Sequence, residues 1–320
     1  MNILSPIPVT VLARVQEAQD IVSFELAGAD GAPLPPFSAG SHIDVQIRPG
    51  LTRQYSLCNE PSERHRYQIA VLRDPRSRGG SQAIHDSVQV GDTLQISAPR
   101  NHFPLVQAGH YLLFAGGIGV TPILCMAERL AQQGARFTMH YCARSPGRTA
   151  FRARIAASGF ADRVAFHFDD APPQARLDIG ATLRRATPDT HLYVCGPAGF
   201  IEAVTSAARS EGWAAERIHV EHFGAAPAAS GQETGFEVKI ASTGQVYRIG
   251  PGQSVTRALE AQGIVIPVSC EQGVCGTCIT RVLEGRIEHR DQYFSDEERA
   301  LNDQFTPCCS RAQGMLVLDL

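Results

Sequence analysis

Three cysteines crowd into one short stretch, Cys270-Glu271-Gln272-Gly273-Val274-Cys275-Gly276-Thr277-Cys278, in the pattern C-x4-C-x2-C. A fourth, Cys308, follows after the 29 residues 279–307. Thiolates at this spacing hold a [2Fe–2S] cluster. Four sulfurs must wrap two irons, and a short loop supplies three of them only if it curls tightly. Gly273 and Gly276 give the backbone that freedom and let amide N–H groups approach an anionic centre. A zinc ribbon needs two separated C-x2-C pairs. Here the downstream cysteines, Cys308 and Cys309, are adjacent. A disulfide framework needs an oxidising compartment, which nothing upstream supports. On an extended segment successive side chains point to opposite faces, so only one of the neighbours faces a cluster. The count from Cys278 favours Cys308 and leaves Cys309 as a small packed thiol.

A one-electron centre needs a donor and an acceptor. The 320 residues allow two or three domains. The net charge of −3 and the absence of a basic run argue against nucleic acid as a partner. The start, MNILSPIPVTVLARV, has neither a charged n-region nor a long apolar run and does not read as a signal peptide. The longest apolar stretches, such as Tyr111 to Phe114, are too short to span a bilayer. Nine cysteines without a secretory signal fit a cytoplasmic location. Cys58, Cys125, Cys142, Cys195 and Cys309 are by default small packing residues.

Residues 1–104 read as β-rich. VTVLARV, IVSFEL, HIDVQI, RQYSL, YQIAVL and DTLQISA are short runs punctuated by Gly, Pro, Asp and Asn. That many strands at this spacing predict a small antiparallel β-barrel, with one helix near Ser81 to Val88. Two features stand out, Arg53-Gln54-Tyr55-Ser56 and Arg78-Gly79-Gly80-Ser81. Arg offers a bidentate phosphate contact, and Gly-Gly-Ser opening a helix offers free N–H groups to the same phosphate. A surface Arg and an ordinary glycine turn account for the same letters equally well.

Residues 105–225 change period. HYLLFAGGIGVTPILCMAERLAQQG reads as strand, glycine turn and helix. RFTMHYCAR and RVAFHFDD read as strands flanking a helix in FRARIAASGF. THLYVCGPAGFIEAVTSAARSEGW repeats the strand–turn–helix unit, and RIHVEHFG is a last strand. Strands alternating with helices predict an α/β domain with a parallel sheet covered on both faces. Gly116-Gly117-Ile118-Gly119-Val120-Thr121-Pro122 and Cys195-Gly196-Pro197 both lie at strand carboxyl ends. Two such turns on one sheet edge suggest a ligand crevice. Residues 226–235 read as a linker rich in Pro, Ala, Ser and Gly. Residues 236–320 combine a hairpin at Thr243-Gly244, an amphipathic helix in SVTRALEAQG, the cysteine loop and two further strands, which is a β-grasp arrangement.

The ordered set R-x-Y-S, G-G-I-G-V-T-P, C-G-P, E-x-F-G and C-x4-C-x2-C followed by C-C-S-R-A resembles the phthalate dioxygenase reductase and vanillate O-demethylase reductase family, the class IA reductases of Rieske-type oxygenases. The resemblance runs over essentially the whole chain, to the closing LVLDL. It implies an FMN-binding barrel, an NAD-binding domain and a plant-type ferredoxin domain. Carried over, Arg53, Tyr55 and Ser56 line FMN, Gly79, Gly80 and Ser81 hold its phosphate, and the backbone of Val71 and Leu72 borders the ring. Thr121 and Phe223 approach the isoalloxazine. Gly117, Gly119, Pro122, Cys195, Gly196 and Pro197 frame the nicotinamide. Cys270, Cys275, Cys278 and Cys308 are the metal ligands.

NADH gives two electrons as a hydride and a cluster takes one at a time, so a flavin belongs between them. The expected path is NADH to FMN to [2Fe–2S] to a separate terminal Rieske-type oxygenase. Thr121 and Cys195 are the expected catalytic residues, positioning rings and excluding water rather than moving protons. After the second strand of the NAD domain, Arg144-Ser145-Pro146-Gly147-Arg148 lacks the acid that grips an adenosine 2′-hydroxyl. Arg144 and Arg148 could instead meet a 2′-phosphate, while the resemblance implies NADH. Two other readings keep the cofactors: a redox sensor without an oxygenase, and a stand-alone reductase of a cytochrome, a ferredoxin or another acceptor. The chain has no C-x-H…C-x2-H Rieske motif of its own.

Overall fold

The computed structural model describes residues 6–75, 79–172, 176–224 and 234–320. Arg78 and the linker residues 226–233 lie outside the described residues. By contact the chain divides into two units, Met1–Glu221 and His222–Leu320.

The first unit opens with strands β1 (Ile7–Ala18), β2 (Ile21–Gly28), β3 (Ser41–Arg48), β4 (Leu51–Ser56) and β5 (Tyr67–Leu72). Helix α1 (Gly80–Ser87) and strands β6 (Thr93–Ile96) and β7 (Arg100–Asn101) follow. The strands pair antiparallel in the order β4-β3-β6-β1-β2-β5, with β7 on β3. Alternation sets the inside: Ile43, Val45 and Ile47 of β3 are buried while Gln46 and Arg48 face out. The edge strands β4 and β5 approach one another, and α1 packs against β3, β4 and β5. The sheet thus curls into the expected barrel. Only Gln19 and Asp20 connect β1 to β2, and Asp20 adopts φ 63°, which its short polar side chain tolerates.

The rest of this unit is β8 (His110–Gly116), α2 (Val120–Gln132), β9 (Phe137–Ala143), α3 (Arg152–Ala156), β10 (Val164–Phe168), α4 (Ile179–Arg184), β11 (Thr190–Cys195), α5 (Ala198–Ser210) and β12 (Ile218–Glu221). All five strands are parallel, in the order β10-β9-β8-β11-β12. Helix α2 packs with Leu113, Ala115 and Tyr193 on one face. Helix α5 packs with Leu112, Phe114 and Val194 on the other. The chain therefore switches faces between β8 and β11, and the crevice at a doubly wound sheet's switch point is where such folds bind ligands.

The barrel and the parallel sheet share a core, which the domain boundary near residue 104 does not suggest. Ile21, Ala39, Cys58, Ala70 and Phe103 pack in the same cluster as α2 and β8. That covering explains why nine of the thirteen α2 residues are buried, where a helix lying on a single sheet would bury one stripe. Arg154 of α3 closes the seam. Its guanidinium donates to Glu128 of α2 at 2.7 and 2.8 Å, to the Gln68 side chain of β5 at 2.6 Å and to the Cys58 carbonyl at 3.0 Å. Removing one partner of this half-buried pair would leave the other charge poorly compensated.

The second unit contains β13 (Phe236–Ile240), β14 (Val246–Ile249), α6 (Val255–Glu260), β15 (Thr280–Glu288), α7 (Asp296–Leu301), β16 (Gln304–Phe305) and β17 (Arg311–Leu318). The sheet order is β14-β13-β17-β15-β16, with β13 and β17 parallel. Val255, Ala258 and Leu259 of α6 pack into the sheet, as in a β-grasp fold. Helix α7 is absent from the sequence expectation. Its signal is a capping box, Ser295 with Glu298 three residues on. Thr306 to Ser310 corrects another expectation. The Thr306 carbonyl accepts from the N–H of both Cys309 and Ser310, at 3.1 and 2.9 Å. Cys308 and Cys309 therefore stand in a turn, not on an extended segment, and the opposite-face rule does not separate them.

Candidate redox site

In the first unit the two glycine turns meet. A Cβ on Gly119 would lie 2.3 Å from the Cys195 carbonyl oxygen, and one on Gly196 would lie 2.9 Å from the Gly116 Cα. No side chain fits at either position, so backbone lines the crevice floor. Gly117 adopts φ 54° ahead of α2. Pro122 is buried in the first turn of α2, where its missing N–H leaves no bond unmade. Thr121 is buried and donates to the Ile118 carbonyl at 3.1 Å, so its hydroxyl braces the turn. Cys195 is fully buried, and burial pushes its thiol well above the ordinary value. It is a neutral packing group at the crevice and not a nucleophile. Pro197 is exposed at the start of α5.

Glu221 stands opposite Cys195 in the β11–β12 register. Burial raises its carboxyl to about 8. The Ser56 hydroxyl donates to Glu221 Oε2 at 3.4 Å. This contact ties the end of barrel strand β4 to the end of β12. Glu221 is the acid of the E-x-F-G motif, and sequence reasoning did not single it out as a site residue. Its signal was a lone carboxylate at a strand's carboxyl end.

The residues expected to hold a phosphate also come together. A Cβ on Gly80 would lie 2.6 Å from Arg53 Cγ and Nε, so the Arg53 side chain crosses the start of α1 over a glycine. Gly79 precedes the helix with φ 81°. Ser81 accepts from the Asp74 N–H at 3.1 Å and His85 Nε2 lies 2.8 Å from the Val71 carbonyl, fixing α1 against the edge strand that carries Val71 and Leu72. The Tyr55 hydroxyl is buried with no hydrogen-bond partner among the described residues. A buried hydroxyl without a partner and a cradle that a Cβ would fill both fit a bound FMN. Phe223 lies in the second unit, one residue past its start, and is 39% exposed.

Just after β9 Arg144 is exposed, and Arg148 pairs with Asp20 at 3.2 Å. The Asp169 and Asp170 N–H groups bond the carbonyls of Ala143 and Arg144, at 3.1 and 3.3 Å. Two acids from the end of β10 thus adjoin the end of β9, where the sequence shows none.

In the second unit Cys270, Cys275, Cys278 and Cys308 are all buried. The Cys270 thiol hydrogen-bonds with Cys275 and Cys308, and Cys308 also reaches Cys278. These contacts hold Cys270 well below its ordinary value and push Cys275 and Cys308 up. The Gln272 N–H donates to Cys270 Sγ at 3.3 Å, and Thr277 Oγ1 lies 3.2 Å from Cys275 Sγ. Among the described residues no group of His, Cys, Asp and Glu is arranged about a single metal ion. The sulfurs are linked pairwise, and an all-thiol set is the soft donor set that an iron–sulfur core takes.

Sequence reasoning missed the segment that backs this loop. A Cβ on Gly276 would lie 2.4 Å from the Tyr293 ring, and one on Gly273 would lie 2.8 Å from Asp291 Cβ. The Gln292 N–H donates to the Gly273 carbonyl at 3.0 Å. Asp291 Oδ2 accepts from the Tyr293 and Phe294 N–H groups, at 3.2 and 3.0 Å, and His289 Nδ1 lies 3.0 Å from Oδ1.

Comparison with known proteins agrees with both halves. Residues 238–313 match the 2Fe-2S iron-sulfur cluster binding domain family. The chain is 54% identical over 316 residues to a vanillate O-demethylase oxidoreductase of Pseudomonas sp. (strain HR199 / DSM 7063), covering 98% of this chain and 100% of that protein. The solved phthalate dioxygenase reductase, described as a modular structure for electron transfer from pyridine nucleotides to [2Fe-2S], is 37% identical with a TM-score of 0.80, covering 99% of this chain and 98% of that one. An intact type IV self-sufficient cytochrome P450 monooxygenase matches with a TM-score of 0.82 and 37% identity, over 98% of this chain but 41% of that one. The chain belongs to the phthalate dioxygenase reductase and vanillate O-demethylase reductase family, electron-transfer oxidoreductases that use NADH, FMN and a [2Fe–2S] cluster.

Proposed function

We propose that this chain feeds electrons from NADH to the Rieske centre of a separate terminal oxygenase or demethylase that acts on an aromatic substrate in the cytoplasm. The observation that carries the reading is the presence on one chain of a face-switch crevice and a buried set of four thiols, in a sequence that matches an O-demethylase oxidoreductase end to end. A net charge of −3 offers little to nucleic acid. Among the described residues no helix is long and apolar enough to cross a membrane.

Each residue's part follows from its place. Arg53 and the N–H groups at Gly80 and Ser81 hold the FMN phosphate, Gly79 turns the chain into that helix, and Tyr55 and Ser56 line the flavin. The backbone of Val71 and Leu72 borders the ring. Gly117, Gly119, Pro122, Gly196 and Pro197 leave room for the nicotinamide, and Arg144 meets the adenosine end. FMN, when bound, accepts a hydride as a pair and passes electrons on singly. Thr121 and Cys195 hold the crevice dry and fix the approach. No side chain has to give or take a proton in the hydride step. Cys270, Cys275, Cys278 and Cys308 hold the cluster.

The test combines the chain, NADH and a purified Rieske-type O-demethylase with vanillate. Substrate-dependent NADH consumption and demethylated product support the reading. The match to a P450 fusion favours one alternative, a reductase of a cytochrome. Fast P450 reduction with no turnover by any Rieske oxygenase would establish that alternative instead.

A further inference from the structure

Five thiols, not four, meet around the cysteine loop. Cys309 is half-buried, and its thiol touches that of Cys308. A Cβ on Gly273 would lie 2.4 Å from Cys309 Sγ, so this sulfur rests on the middle of the loop that supplies Cys270 and Cys275. Gly273 at φ 70° leaves the space it occupies. Cys309 Sγ also lies 3.2 Å from Thr306 Oγ1, 3.8 Å from the Thr306 carbonyl and 3.9 Å from Ser310 Oγ. In a helix-like turn adjacent side chains are about 100° apart rather than opposed, so both thiols can face the same side of the loop. The Thr306 carbonyl, which accepts from both Cys309 and Ser310, closes this turn.

We propose that Cys309 is a standby ligand, placed to take over from Cys308 when the iron–Cys308 bond opens. The exchange is balanced and involves no redox change. The Cys309 sulfur forms a bond to the iron that Cys308 leaves, and the Cys309 thiol proton passes to the departing Cys308 thiolate. The number of thiolate ligands and the net charge stay the same. A bland packed thiol accounts for the burial of Cys309, but not for its contact with a ligand sulfur and with the loop at once. The inference rests on the cluster reading of Cys270, Cys275, Cys278 and Cys308.

The test uses the full-length flavoprotein and reads iron, acid-labile sulfide and the EPR signal after dithionite reduction. Cys308→Ala is expected to keep the cluster with a shifted EPR signal, Cys309→Ala to keep it with an unshifted signal, and the double variant to lose it. A Cys308→Ala protein as iron-free as the double variant, with its flavin retained, overturns the proposal. If Cys308→Ala does not fold, Cys309→Ala decides. Its iron should pass to a strong chelator several-fold faster than wild-type iron, and an unchanged rate contradicts the proposal. Cys275→Ala separates the two levels: a full cluster in that variant would overturn the four-ligand reading itself.

Discussion

Ser56, the last residue of a barrel strand, donates a hydrogen bond to Glu221, the last residue of the parallel sheet, at 3.4 Å. One contact thus ties the end of β4 to the end of β12.

Burial raises the Glu221 carboxyl from its ordinary value of 4.5 to about 8. The native state then binds a proton that the unfolded chain has released, so stability falls as pH rises between those values. Below the lower value both states are protonated and the contribution is flat. Above about 8 the loss is complete. Urea midpoints measured from pH 5 to 9 should decline in the wild type and decline less in Glu221→Gln. Equal slopes in the two proteins would show that the carboxyl is not buried as described.

Arg53 crosses the start of α1 over Gly80, where a terminal monophosphate would sit. Heat-released flavin should have the mass of FMN. Arg53→Ala removes a charge-assisted bond, about 1.5–3 kcal/mol, and should weaken flavin retention by about 10- to 100-fold. An FAD mass, or unchanged retention, would break the cradle assignment.

Nucleotide choice was the least legible part of the site, and the reason is physical. The stretch after β9 shows only Arg144 and Arg148, which reads as a 2′-phosphate grip. The fold spends Arg148 on Asp20 and brings Asp169 and Asp170, which follow β10, to the end of β9. kcat/KM should be higher with NADH than with NADPH, and Asp20→Ala, which frees Arg148, should narrow the gap several-fold. An NADPH preference abolished by Arg144→Ala would reverse the assignment.

Much else could be read from letters because it depends on local pattern. The C-x4-C-x2-C loop, the two glycine turns and the strand–helix alternation declare themselves within a few residues. What escaped depends on distant partners. Glu221 acquires its character from burial beside Cys195 and from Ser56, 165 positions away. Asp291 and Tyr293 back the cysteine loop from a segment with no motif. The shared core that merges barrel and parallel sheet into one unit is built from Ile21, Cys58 and Phe103, each of which alone reads as ordinary barrel packing. The turn at Thr306 to Ser310 was mistaken for an extended segment because its Thr306 hydrogen bonds have no signature in sequence.

The most direct test of the electron path is anaerobic mixing with NADH, followed by visible absorbance for the flavin and EPR for the cluster. NADH should bleach the flavin and a reduced [2Fe–2S] signal should appear, with Cys275→Ala keeping the flavin step and losing the cluster signal. A flavin that NADH reduces fully while a dithionite-reducible cluster in the same chain stays oxidised would contradict it.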